Sequence, residues 1–154
     1  MSDYESFLAA KRLVATPAGF TPGALPPRLF PFQAAIVHWA AQQGRAAIFA
    51  DTGLGKTAMQ LAWGQQVAAH TGGRVLIVAP LAVAHQTIAE GALMAIPVAY
   101  VRSEAEARGQ DAALCITNYD RIDAFTGAPW AGVVLDESSI LKAYTGATKQ
   151  ALTA

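Results

Sequence analysis

The sequence is poor in the features that mark several protein classes. It has one cysteine, Cys115, so no internal disulfide can form, and a lone thiol fits a reducing cytoplasm. Cys115 lies in the apolar run 113–116 and reads as a buried core thiol. The three histidines, His38, His70 and His85, have no metal-ligand spacing among themselves, which argues against a zinc site. Charged residues make up 14% of the chain against 53% hydrophobic, which excludes disorder and points to a largely buried parallel sheet. Eleven basic and eleven acidic residues cancel, so there is no basic excess to hold a polyanion. Any contact with nucleic acid then falls to local backbone N–H groups and a few side chains. No apolar run is long enough to span a membrane, and the polar, acidic start at Met1–Glu5 is not a signal peptide. There is no internal repeat and no low-complexity tract.

What the sequence does have is centred on Ala50-Asp51-Thr52-Gly53-Leu54-Gly55-Lys56-Thr57. This fits the phosphate-loop pattern G-x-x-x-x-G-K-[ST], with Ala50 in place of the first glycine. The apolar run Ala46–Ala50 before it reads as a buried strand, and the Ala-rich pattern from Lys56 to His70 after it reads as a helix. Gly53 and Gly55 allow a sharp turn that aims several backbone N–H groups, from Thr52 and Leu54 among others, at one anion. The helix starting at Lys56 adds the positive end of its dipole. Lys56 supplies a point charge for β- and γ-phosphates, and the Thr57 hydroxyl is placed to hold Mg²⁺.

The remaining chain alternates strand and helix patterns. Residues 1–16 carry Phe7, Leu8, Leu13 and Val14 among charges, a short amphipathic pattern. Residues 16–31 hold five of the eight prolines and read as loop or polyproline. Helices are predicted over 32–43, 81–93 and 103–108, the last capped by Ser103. Strands are predicted over 74–79, 98–101, 112–117 and 133–136. Such alternation means βαβ units, a parallel sheet and helices on both faces. Trp39 and Trp63 are expected to pack on the sheet, and Trp130 to plug the entry of the last strand. Asp120, Arg121 and Asp123 read as a surface charge cluster.

The run Gly132–Leu135 delivers Asp136 and Glu137 to the carboxyl end of a buried strand, where ligands sit in such sheets. Asp136 is the candidate metal ligand, and Glu137 the candidate base that orients and polarises a water for attack on a γ-phosphate.

Taken in order, these segments resemble the first RecA-like domain of a superfamily 2 helicase, of the Snf2 or phage DEAD-box-like kind. Arg28-Leu29-Phe30-Pro31-Phe32-Gln33 resembles the family's adenine-recognition segment. The resemblance implies that Gln33 hydrogen-bonds the adenine, supported by Phe32 or Phe30. Val78-Ala79-Pro80-Leu81 with His85-Gln86 resembles motif Ia, which in the family lies on the nucleic-acid backbone. Ile116–Asp120 resembles the segment after the next strand, and Asp136-Glu137-Ser138-Ser139 with Ile140-Leu141-Lys142 resembles motif II and the lysine segment beyond it. Motif II usually ends Ala-His or Ala-Asp, so Ser138-Ser139 is a departure.

The resemblance covers residues 25–154 and implies a P-loop NTPase of RecA-like three-layer α/β/α architecture. It implies ATP and Mg²⁺ as cofactors and nucleic acid as a partner, DNA rather than RNA. Groups near Pro80, Thr87 and Thr117 would track the phosphates. Residues 1–24 are expected to form an extension and Pro-rich linker. The sequence ends near where the family's motif III begins, at Leu152-Thr153-Ala154. The expectation is therefore a first RecA-like domain, partial at its C-terminus, whose partner is a second RecA-like domain carrying the arginine finger. The expected activity is ATP hydrolysis coupled to movement on nucleic acid. The competing expectation is a nucleotide-binding or interaction module without turnover.

Overall fold

The computed structural model describes residues 16–137. The expectations placed on the amphipathic N-terminal stretch and on Ser138-Ser139 and residues 140–154 lie outside them.

Pro31 begins helix α1 (Pro31–Gln43), where its fixed φ suits the first turn and its missing N–H costs nothing. Helix α2 (Lys56–Thr71) follows the glycine-containing turn at residues 51–55. Strand β1 (Val75–Ala79) is buried along its whole length and stops at Pro80, which leads into helix α3 (Leu81–Leu93). Strand β2 (Val98–Tyr100) precedes the short helix α4 (Glu104–Arg108), capped by Ser103 Oγ, which accepts from the Glu106 N–H at 3.3 Å. Strand β3 (Leu114–Asn118) runs into a 3₁₀ helix (Tyr119–Phe125), and strand β4 (Gly132–Leu135) comes last.

The four strands form one parallel sheet in the order β2-β3-β1-β4. Ile77 of β1 lies opposite Ile116 of β3 on one side and Val134 of β4 on the other. Side chains alternate across the sheet, so each strand feeds two cores. Val75, Ile77, Leu114 and Ile116 join Val37 of α1 and Met59 and Leu61 of α2 on one face. Leu76, Val78 and Cys115 meet Ala107 of α4 and Tyr119, Ile122 and Phe125 of the 3₁₀ helix on the other. Both faces are covered, giving the expected α/β/α layering.

The charge cluster at Asp120, Arg121 and Asp123 is thus the outer side of a 3₁₀ helix whose inner side, Tyr119, Ile122 and Phe125, is core. Trp130 packs against that core, with its indole Nε1–H donating to the Phe125 carbonyl at 3.1 Å. Trp63 packs toward β4, close to Gly132. Trp39 does not pack on the sheet: it lies on the outer side of α1 and is 46% exposed.

Residues 46–50 depart from expectation. They form no strand among the described residues. Ile48 and Ala50 turn onto the helical core while Phe49 is 96% exposed, so the run has the alternation of a strand without a ladder. A strand is defined by its partner's hydrogen bonds, and β4, the sheet's edge on this side, pairs only with β1.

The Pro-rich stretch is irregular, as its prolines require, yet it is tied to the helices. The N–H groups of Ala18, Gly19 and Phe20 donate to the carbonyls of Gln43, Gln42 and Ala41. The Gly23 N–H donates to Gln66 Oε1 at 2.8 Å, and Gln66 Nε2 donates to the Ala24 carbonyl at 3.0 Å. The Phe20 ring stacks on His70 with centroids 4.2 Å apart.

Candidate nucleotide site

The candidate phosphate loop, residues 50–57, runs into the N-terminus of α2, the positive end of a four-turn helix, and the Leu54 N–H closes a turn on the Asp51 carbonyl at 3.4 Å. Gly53 and Gly55 adopt φ of 83° and 75°, in the left-handed region that a side chain disfavours. Gly55 is constrained twice. A Cβ there would stand 2.2 Å from Nε2 of Gln33.

Gln33 is buried and ties two segments together. Its Oε1 accepts from the Phe30 N–H at 2.9 Å, and its Nε2 donates to the Leu54 carbonyl at 2.9 Å. The expected adenine-reading glutamine therefore braces the phosphate loop, with one amide hydrogen and one lone pair beyond those two bonds. Beside it a cleft of about 440 Å³ opens between the 28–33 segment, the loop and α3, lined by Arg28, Phe30, Gln33, Gly53, Gly55 and Glu90. Phe30 and Phe32 stack at 6.2 Å between centroids, and Phe30 is 64% exposed. Sequence reasoning did not single out Glu90. It reaches the cleft because α3 lies across from the loop.

Lys56 curls over its own loop. Its Nζ donates to the carbonyls of Ala50 and Asp51 at 2.8 and 3.1 Å. The cation is thereby held against the loop's own backbone. Thr57 is half-buried one residue on.

Asp136 is fixed from three directions. Its N–H donates to the Val78 carbonyl at 2.9 Å, prolonging the β1–β4 ladder by one residue. Its carbonyl accepts from the hydroxyl of buried Tyr119. Its Oδ1 accepts from Nε2 of Gln60 at 2.9 Å, which links α2 to the end of β4. Glu137 follows with φ of 55° and is exposed. Neither Gln60 nor Tyr119 was legible as a site residue. The signal for Gln60 was its spacing: it lies one turn after Lys56 and Thr57 on the same helix face.

The donor set suits Mg²⁺, a hard cation that takes a hydroxyl, one or two carboxylates and several waters. Thr57 and Asp136 supply such oxygens. Close to Asp136 lies a buried acceptor with no protein partner, Gln60 Oε1, of the kind a cation's water would satisfy. Among the described residues there is no cluster of three or more His, Cys, Asp or Glu that could hold a metal.

Two expected phosphate-tracking groups are corrected. Thr87 is 1% exposed on the inward face of α3, and its hydroxyl donates to the Val83 carbonyl. Thr117 is fully buried in the central region of the sheet, on the same face as Cys115. Neither side chain reaches a surface ligand. Pro80, His85, Gln86 and Arg121 are at least partly accessible.

No family model matches the chain, and no curated protein matches it. Among solved structures it is similar to a SWI2/SNF2 ATPase core of Sulfolobus solfataricus in complex with double-stranded DNA, with a TM-score of 0.67 and 19% identity. The match covers 86% of this chain and 31% of that one, so the chain spans about a third of that core. The likeness is one of fold: the α/β architecture, with its parallel sheet, is similar to that of the SWI2/SNF2 ATPase core. No helix among the described residues is long and apolar enough to cross a membrane.

Proposed function

We propose that the chain is the nucleotide-binding unit of a superfamily 2 motor ATPase of the Snf2 type, which couples ATP hydrolysis to movement on DNA. One observation carries this reading. The phosphate loop and the acidic end of β4 are joined at one end of the sheet, by the hydrogen bond from Gln60 of the loop's own helix to Asp136. The fold likeness to a DNA-bound SWI2/SNF2 core supports the choice of DNA as partner.

In this reading the loop N–H groups of Thr52, Gly53, Leu54 and Gly55 bind the phosphates. Lys56 exchanges its carbonyl partners for phosphate oxygens. Thr57 and Asp136 would hold Mg²⁺, whose charge would offset that of the phosphates. Glu137 accepts the proton of the attacking water. The cleft beside Phe30 takes the base, which meets the second hydrogen and lone pair of the Gln33 amide. A second RecA-like lobe is the proposed partner that completes the site with an arginine. Soluble, cytoplasmic action fits the lone buried thiol.

The test is phosphate release from MgATP by the protein that carries this unit with its second lobe, with and without duplex DNA. DNA-stimulated turnover that falls by ~10²-fold in Glu137→Gln, with ATP binding retained, is expected. Binding without turnover under all conditions would replace this reading with the nucleotide-binding module. Turnover that survives Glu137→Gln would remove Glu137 as the base.

A further inference from the structure

Gln60 carries an unusual pair of features for a half-buried glutamine. Its Nε2 makes one strong contact, to Asp136 Oδ1 at 2.9 Å. Its Oε1 is buried and has no protein partner. A neutral amide left with an orphaned acceptor is destabilising, so a side chain chosen only for the fold would be apolar here. Turning the amide over does not help, because it would set Oε1 against the carboxylate. The orientation is fixed by Asp136, and the orphaned oxygen is its consequence.

The geometry points to Gln60 as a positioning residue for the cation, an inference that rests on the nucleotide reading above. Helix α2 presents Thr57 and Gln60 three residues apart, hence on one face. Thr57 offers a direct oxygen ligand. Gln60 works through a ligand: its N–H occupies Oδ1 of Asp136, fixes the carboxylate rotamer and leaves Oδ2 for the metal. Its Oε1 is the acceptor for a water that the cation retains, since Mg²⁺ gives up its waters reluctantly. Partners of this kind, outside the ligands themselves, commonly govern metal affinity by 10–100-fold.

The test uses N-methylanthraniloyl-ATP as the probe. Its affinity for the full chain is measured in excess MgCl₂ and in EDTA, and the ratio of the two is the metal enhancement. Gln60→Leu and Gln60→Met remove both amide groups, and the methionine keeps the unbranched shape. Both variants are expected to bind the probe in EDTA within about twofold of the unmodified chain, and to lose about tenfold of the enhancement. Their thermal midpoints are read alongside, because the loss of the orphaned acceptor and the loss of the bond to Asp136 Oδ1 act in opposite directions. An unchanged enhancement in either folded variant would overturn the proposal. So would failure of both variants to fold, which would make Gln60 a residue of the fold. If the unmodified chain binds no probe in either condition, the nucleotide reading itself has failed and the proposal falls with it.

Discussion

Replacing Gly55 with alanine perturbs the phosphate loop at its most constrained point. At φ 75° an L residue costs ~1–2 kcal/mol in backbone strain. The new Cβ would also stand 2.2 Å from Gln33 Nε2, so that side chain must leave. Its departure breaks two hydrogen bonds, to Leu54 O and from Phe30 N, worth ~0.5–1.5 kcal/mol each. The whole penalty is then ~2–5 kcal/mol, a large part of a typical domain's ~5–15 kcal/mol. Urea unfolding measures it. The decisive comparison is the double-mutant cycle with Gln33→Ala, which alone forfeits the same two bonds and should cost ~1–3 kcal/mol. In Gly55→Ala/Gln33→Ala those bonds are lost once and the clash is gone. The double variant should be more stable than the sum of the single effects predicts, by ~1–3 kcal/mol. Additivity within ~0.5 kcal/mol would refute the claim that Gln33 and Gly55 are packed against each other.

Gln66, which holds the Gly23 N–H and the Ala24 carbonyl to α2, should cost ~1–3 kcal/mol when replaced by leucine, read as a lower urea midpoint with an unchanged slope. Burial raises the Cys115 thiol above its ordinary 9.0, an effect that the nearby Arg74 charge opposes. An acid weakened in the folded state leaves stability untouched below the unfolded pKa and drains it above. The thiol should therefore resist iodoacetamide in the folded chain near pH 8, and stability should decline above about pH 9 less steeply in Cys115→Ala.

Most of the layering was legible because it rests on local signals. The runs Val75–Ala79 and Leu114–Asn118 are apolar throughout, and Pro80 and Ser103 mark helix starts by mechanisms that need no distant partner. The run 46–50 shows where that reasoning stops. Its apolar composition suits a buried strand, but whether an extended run becomes one depends on a neighbour that no local pattern names. Thr87 and Thr117 failed for a related reason. A hydroxyl near a motif says nothing about which face it takes, and both faced inward. In the candidate site, the places of Lys56 and Thr57 at the start of α2 and of Asp136 at the end of β4 follow from local patterns. The bonds from Gln60 and Tyr119 to Asp136 arise only when α2, β4 and the 3₁₀ helix pack, which joins residues 76 and 17 positions apart.

Everything proposed for this site begins with phosphate binding, and the most direct test is a titration of the chain with labelled ATP beside its Lys56→Ala variant. One charge-assisted contact to phosphate contributes ~1.5–3 kcal/mol. The unmodified chain should bind saturably in MgCl₂, and Lys56→Ala should bind at least about tenfold more weakly while still unfolding in a cooperative urea transition. Equal affinity in the two proteins would contradict the assignment of residues 50–57 as a phosphate loop.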